Sequence, residues 1–363
     1  MNFLLYLLAI CCFYQILYQA VLIYTILSKK NTIHHLSFNI QQSVSVIICA
    51  KNESENLKKN LPFILQQNYP DFEVIVVDDG SDERLTMYDE RLTIINLTKE
   101  EKIGLGKKYA LQKGIEAAKN KLVLLTDADC TPVSKNWISE MASCINDKHK
   151  IVLGISLYKT ESSFLNSLIE YETAQTAMQY IGFALVGNPY MCVGRNVLYD
   201  AALLKSKKWT SEELSIASGD DDLMIQSLAT KENTTVCLSE DSYTISEPKK
   251  TWKDLIKQKL RHYESGHLYK STHRFLLGTF LFTKLALYTL LICLSICFPS
   301  QINFVLANLC FYLIIITLLQ LNLNYYLQLN RRWYFAVIND ILYCIFTITL
   351  GLISLLKPTK NWK

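Results

Sequence analysis

Residues Lys121–Pro132 read KLVLLTDADCTP. The apolar run through Leu125 is the pattern of a strand buried on both faces. The chain then turns acidic at Asp127 and Asp129. In extended backbone, residues i and i+2 point the same way and lie about 7 Å apart. The two carboxylates therefore stand side by side at a strand end. Ahead of Pro132 they could also form no more than a polar turn, and the surrounding sequence has to separate the two readings.

Upstream, Leu105–Lys119 predicts a helix, because Leu105, Ala110, Leu111, Ile115 and Ala118 fall on one face. Leu92–Leu97 and Glu73–Val77 (EVIVV) read as strands. Glu53–Gln67 reads as a helix kinked at Pro62, and Val44–Ala50 (VSVIICA) as the first strand. Downstream, a helix starts near Ser134. Phe164–Phe183 is a long apolar helix suited to core or membrane-surface contact, with no chemistry of its own. Strands alternating with helices predict an α/β fold, a mostly parallel sheet with helices on both faces.

Ligands of such sheets bind beyond the carboxyl ends of the strands, and polar residues gather there three times. Lys51, Asn52 and Glu53 follow the first strand, directly after Ala50. Asp78, Asp79, Gly80 and Ser81 follow the second, and Asp127 and Asp129 the fourth. One or two carboxylates together with phosphate oxygens are ordinary ligands for Mg²⁺ or Mn²⁺. No GxGxxG follows the first strand, and Gly104-Leu105-Gly106-Lys107 lacks the spacing of a Walker A loop. Dehydrogenase-type and P-loop sites are thereby excluded.

A second acidic group, Asp220-Asp221-Asp222, opens a helix. Capping and the helix dipole account for acids there. Three in a row exceed what a cap needs, and their repulsion would raise one pKa, which suits a general base. On the residues alone both readings stand. Further on, Trp252, Leu255, Ile256 and Tyr263 share one face of a helix, with Gln258 and Arg261 on another. This is an interfacial amphipathic helix, basic toward anionic lipid, and Arg261 is still able to face a diphosphate.

Half of the 363 residues are apolar, 19% are charged, and the net charge is +4. So few charges disfavour a purely soluble chain, and so small a net charge excludes nucleic acid as the main partner. Phe3–Leu27 carries no charged side chain and is long enough to span a bilayer. Phe275–Cys297, Asn303–Leu321 and Tyr334–Leu356 are three more candidate spans. Lys29, Lys30, His273, Arg274, Arg331 and Arg332 fall on one side if the central domain is cytoplasmic. Lys357, Lys360 and Lys363 then fall outside, against the rule. Lys284 and Asp340 lie within spans at similar depth, which predicts a structural ion pair; the alternative is a Lys284 facing a lipid or glycan path. Eleven cysteines, an odd number with no CxxC, indicate reduced thiols and neither zinc nor a disulfide framework.

Taken together, the motifs resemble the inverting family 2 glycosyltransferases of GT-A fold, over roughly residues 44–265. VIICAKNES (46–54) looks like that family's opening strand and loop, and VIVVDDGSDE (74–83) like its nucleotide-binding acidic turn. LLTDADCTP (124–132) looks like its DxD, and GDDD (219–222) like its (E/D)D motif. QKLRH (258–262) is similar to the Q/RxxRW motif of membrane-bound members, the branch of polysaccharide synthases and ceramide-glucosyltransferase-like enzymes.

The resemblance implies a Rossmann-like GT-A domain over residues 29–250. An N-terminal transmembrane anchor (1–28) would precede it, and an interfacial helix (251–274) and a C-terminal transmembrane region (275–363) would follow. It implies donor contacts from Ala50, Asn52, Glu53, Asp78, Asp79, Lys107, Asp127, Gln258 and Arg261. Asp129, with Asp127, would ligate Mg²⁺ or Mn²⁺, and Asp221 would be the base. Arg195, Asp220 and His262 would lie toward the acceptor. His262 stands where the family has Trp, which leaves acceptor type and processivity open. The function so implied is transfer from a nucleotide-sugar, UDP-linked by preference, to a membrane lipid, a lipid-linked glycan or a polymer. The site would face the cytoplasm at the inner (plasma) membrane. A processive synthase that extrudes its polymer is the near alternative, and a non-catalytic membrane scaffold the distant one. A sugar-nucleotide-forming enzyme would need a Gly-rich basic loop where AKNESEN stands, and a transporter would need more spans.

Overall fold

The computed structural model describes residues 2–33, 42–98, 106–329 and 335–356. The chain opens with α1 (Asn2–Ile33), then β1 (Val44–Ala50), α2 (Ser54–Leu65), β2 (Phe72–Asp78), β3 (Leu92–Asn96), α3 (Lys108–Ala117) and β4 (Leu122–Asp127). It continues through β5 (Cys130–Pro132), α4 (Trp137–Ser143), β6 (Ile151–Leu153), β7 (Ser156–Tyr158), α5 (Phe164–Leu185) and β8 (Val197–Asp200). Next come α6 (Ala201–Lys205), α7 (Ser211–Leu214), α8 (Asp222–Leu228), β9 (Thr234–Val236) and β10 (Thr244–Ser246). The last helices are α9 (Trp252–Tyr263), α10 (Ser271–Cys297), α11 (Ile302–Leu327) and α12 (Ala336–Leu356).

The strands run in the order β3-β2-β1-β4-β8-β6-β9. From β3 to β4 all neighbours are parallel; β8 is antiparallel to both β4 and β6. The alternation of side chains feeds two cores. Ile47, Cys49, Ile75, Val77, Val123 and Leu125 face one layer, and Val46, Ile48, Val74, Val76, Leu122 and Leu124 the other. A small sheet, β5-β10-β7, stands beside the main one. It places Tyr158 and Ser156 near the DxD end of β4 by pairing β10 with both β5 and β7.

The expected long strands and helices are present, with ends shifted by a few residues. Pro62 sits inside α2, three residues before its end, so it removes only one late helical hydrogen bond. The helix expected near Ser134 begins at Trp137, because Ser134 is held in a turn by Asp241 and Gln67. Leu105 lies outside the described residues, and α3 starts at Lys108. Arg331, Arg332, Lys357, Lys360 and Lys363 also lie outside them.

Among the described residues, four helices are long and apolar enough to cross a membrane: Asn2–Lys29, Ser271–Cys297, Pro299–Leu327 and Ala336–Ser354. Lys284 and Asp340 form the expected ion pair, and both are buried. Asp340 also accepts hydrogen bonds from Tyr171 (2.6 Å), Tyr288 and Tyr312 (3.1 Å). One carboxylate thus ties α5, α10, α11 and α12 together, and Lys284 faces no lipid path. His273, read above as a flanking basic residue, is instead buried between Gln226 and Asn188. The end of α1 is not a free tether, since Leu22, Ile23 and Ile26 join the core on the α5 side of the sheet. All eleven cysteines are free.

Candidate active site

Strand register brings the polar clusters to one edge. Ala50 pairs with Asp78, and Cys49 with Asp127. The Asp79 N–H donates to the Ala50 carbonyl at 2.8 Å. Asn52 adopts a left-handed φ of 54°, which Asn tolerates better than most residues. From there its N–H donates to Ser81 Oγ (2.7 Å), and its Oδ1 accepts from the Asp82 N–H (3.0 Å). Asp78 Oδ1 accepts from the Ser81 N–H (3.0 Å). The loops after β1 and β2 are therefore fastened to each other. Glu53 stands at the start of α2 and takes the amide of Asn56. Asp78 and Asp79 are almost wholly buried, whereas Asn52 is exposed.

The two acidic motifs meet through a lysine. Lys107 Nζ lies 3.0 Å from Asp127 Oδ1 and 3.0 Å from Asp220 Oδ2. Burial works against the ammonium, but the two carboxylates outweigh it and hold its pKa well above the ordinary value. Burial also works against the Asp127 carboxylate, and Lys107, with help from Arg195 and Arg261, brings its pKa down. Asp129 goes the other way: burial and the charge of Asp127 raise it.

A small cavity of about 10 Å³ beside this bridge is lined by the apolar Ile47, Leu111 and Leu125 and by Cys49, Lys107, Thr126, Gly194, Asp220 and Asp221. Asp221 caps α8. Its Oδ1 accepts from the Asp222 N–H and its Oδ2 from the Gly194 N–H, each at 2.9 Å. A Cβ on residue 194 would lie 2.9 Å from that Oδ2, so only glycine lets the chain come this close. Burial and Asp220 raise the pKa of Asp221. Asp222 is raised well above its usual range by burial and Asp221, and it points away from the pocket toward Ser265 and Tyr269.

Arg195 follows Gly194, and its carbonyl accepts from Thr126 Oγ1 at 3.0 Å. Its Nε donates to Ser156 Oγ (2.7 Å), and its guanidinium lies 4.8 Å from the centroid of the Tyr158 ring. Gln258 Nε2 reaches the Tyr158 hydroxyl at 3.3 Å, which joins α9 to this wall. His262 is exposed on α9. Arg195 and Gln258, far apart in sequence, are thus brought together at Tyr158, whereas Asn52 is fastened to the loop after β2.

The DxD fits a hard divalent cation. Ligand atoms of Asp127, Asp129 and Cys130 lie within 4.8 Å of one another. The Cys130 thiol is driven upward by burial and Asp129, stays protonated, and is too soft a donor. The two carboxylates are the fitting ligands.

Residues 45–206 match the family described as Glycosyl transferase family 2. That stretch is similar to family 2 glycosyltransferase domains. Over 132 residues the chain is 35% identical to a dolichyl-phosphate β-glucosyltransferase of Trichomonas vaginalis, covering 31% of this chain and 39% of that protein. Over 90 residues it is 30% identical to a poly-β-1,6-N-acetyl-D-glucosamine synthase of Staphylococcus epidermidis, covering 24% and 22%. The chain spans less than half the length of these curated relatives. A mannosyltransferase of Pyrobaculum calidifontis, solved in complex with GDP-Man and Mn²⁺, shares the fold. Its TM-score is 0.61 at 16% identity, covering 96% of this chain and 99% of that one. The matched stretch includes the DxD and Gly194, while Asp220–Asp222 and α9 lie beyond residue 206. Sequence reading missed Gly194, Tyr158, Ser265 and Tyr269; none belongs to a motif, and each is found only through its partner in space.

Proposed function

We propose that this protein transfers a sugar from a nucleotide-sugar, UDP-linked by preference, to a membrane-associated acceptor, a lipid or lipid-linked glycan, with inversion at the anomeric carbon. The observation that supports the reading is the Lys107 bridge, which joins Asp127 of the DxD to Asp220, the neighbour of Asp221. Asp221 removes the acceptor hydroxyl's proton. Its raised pKa strengthens it as a base relative to an ordinary carboxylate, and two backbone N–H groups fix its direction. The hydroxyl oxygen bonds to the anomeric carbon as the bond to the diphosphate breaks, and the electron pair leaves with the nucleotide.

Asp127 and Asp129 would hold Mg²⁺ or Mn²⁺, which when bound offsets charge on the diphosphate. Arg195 and Arg261 add positive potential at the same place. Asn52, Glu53, Asp78 and Asp79 form the donor's nucleotide end, and Gln258 orients α9 against the Tyr158 wall. The four apolar helices hold the site at the cytoplasmic face of the plasma membrane.

The test is a panel of labelled UDP- and GDP-sugars given to membranes holding the full chain, with lipid-soluble and polymeric products separated. Label in the lipid-soluble fraction that disappears in Asp221→Asn supports the reading. Full turnover by Asp221→Asn removes the assignment, and label only in polymer replaces single addition by chain synthesis.

A further inference from the structure

The acidic triplet divides its contacts three ways. Asp220 pairs with Lys107, and Asp221 lines the pocket. Asp222 is buried and turned to the opposite side, where its Oδ2 accepts from Ser265 Oγ at 3.3 Å and from the Tyr269 hydroxyl. Both hydroxyls belong to the turn that joins α9 to α10, the helix that begins the C-terminal run of membrane-length helices.

One turn further along α8, Gln226 repeats the contact. Its Nε2 donates to the Tyr190 carbonyl at 2.8 Å, which fixes its Oε1 as the acceptor. That Oε1 takes the Lys270 N–H (3.1 Å) and lies 3.0 Å from His273 Nδ1. Ser265 also packs against Gly219, where a Cβ would lie 2.8 Å from Ser265 Cβ. Ser265, Tyr269 and Lys270 of the turn, and His273 of the first turn of α10, are therefore fastened to a helix of seven residues that begins immediately after Asp221. Neither contact involves the DxD or the loops after β1 and β2.

We propose that Asp222 is a positioning residue that, through Tyr269 and Ser265, locks α8 to the membrane-entry turn and so fixes Asp221 at a set height above the bilayer. The inference rests on Asp221 being the base. It assigns the third acid to acceptor-side alignment, separate from donor binding. A small displacement of a catalytic group costs orders of magnitude in rate, so loss of one hydroxyl contact is expected to show in turnover and not in donor affinity.

The experiment uses the full-length protein in vesicles of phosphatidylethanolamine and phosphatidylglycerol doped with polyprenyl phosphate. The donor is whichever labelled sugar nucleotide of the panel is turned over fastest. Tyr269→Phe and Ser265→Ala are each expected to lower turnover per donor-binding site about tenfold, with donor Kd within about twofold of wild type. Asp222→Asn, which keeps an oxygen for both hydroxyls, is expected to retain more turnover than Asp222→Ala. A folding defect alone would reduce the number of donor-binding sites and leave turnover per site unchanged. Wild-type turnover per site in both hydroxyl variants, or donor affinity falling in step with turnover, overturns the coupling. Asp221→Asn is run alongside: full turnover there removes the base itself, an outcome distinct from failure of the hydroxyl variants to respond.

Discussion

The Gly194 N–H donates to Asp221 Oδ2 at 2.9 Å. The β8-side chain segment thus aims the proposed base from outside its own helix, and a methyl group at 194 has no room beside that oxygen. Gly194→Ala is expected to lower turnover about a hundredfold by turning the carboxylate while donor binding persists. Steady-state kinetics with calorimetry of donor binding checks it, and equal losses of both would point to a general collapse of the pocket.

The pH dependence follows from Asp221. Burial and Asp220 raise its pKa, and only the deprotonated form accepts a proton. The acid limb of kcat/KM should therefore lie above the ordinary aspartate value of about 3.9. The same shift has the opposite sign for stability. The folded state holds the proton more tightly than the unfolded state, so this group's contribution falls as pH rises from the unfolded to the raised folded pKa. A profile with its acid limb at or below the ordinary value would contradict the assignment.

Lys107→Met removes the cation shared by Asp127 and Asp220. Breaking a buried ion pair costs about 3–5 kcal/mol. Because about a third of the Asp127 side chain is exposed (34%), about 2 kcal/mol is the reasonable expectation. Denaturation of the detergent-solubilised protein measures this, and turnover should fall at least a hundredfold.

Removal of divalent metal with a chelator is expected to weaken donor binding, and Mn²⁺ should restore it in wild type but not in Asp129→Ala. Calorimetry with UDP as titrant reads this directly. Affinity that is the same with and without metal in both proteins would dismiss the DxD as a cation site.

Within the membrane-length helices, Lys284→Met leaves Asp340 with the hydroxyls of Tyr171, Tyr288 and Tyr312 among the described residues, and Asp340→Leu leaves a buried ammonium. Each single change should lower thermal stability in detergent by about 3 kcal/mol or more, and the double change by less than their sum. Additive losses would show that the two charges do not act as a pair.

Much of this arrangement was legible before any coordinates. Apolar runs such as Val44–Ala50 announce parallel strands, because a sheet covered on both faces needs them. The polar residues that end those runs announce the edge where ligands bind. The three-residue strands β5, β6, β7, β9 and β10 were not legible, since three residues are too few to show a period of two. Nor does sequence order sort Asp220, Asp221 and Asp222. Adjacent acids at a helix start look alike until Lys107, Gly194 and Tyr269, each from a remote segment, choose among them. Lys108 shows the same limit. Beside Lys107 it looks like a second solvated charge, yet it is 1% exposed, its ammonium donating to the carbonyls of Ile216 and Ser218.

The inner end of α1 has a practical consequence. Leu22, Ile23 and Ile26 share one hydrophobic core with Ile181, Phe183 and Ala184 of α5, so the first helix completes the globular part. Trimming the protein back to Val44 to obtain a water-soluble fragment would strip an oily plug from its side and leave a sticky scar, and such a fragment is bound to clump unless those three positions are replaced by a substitute cover.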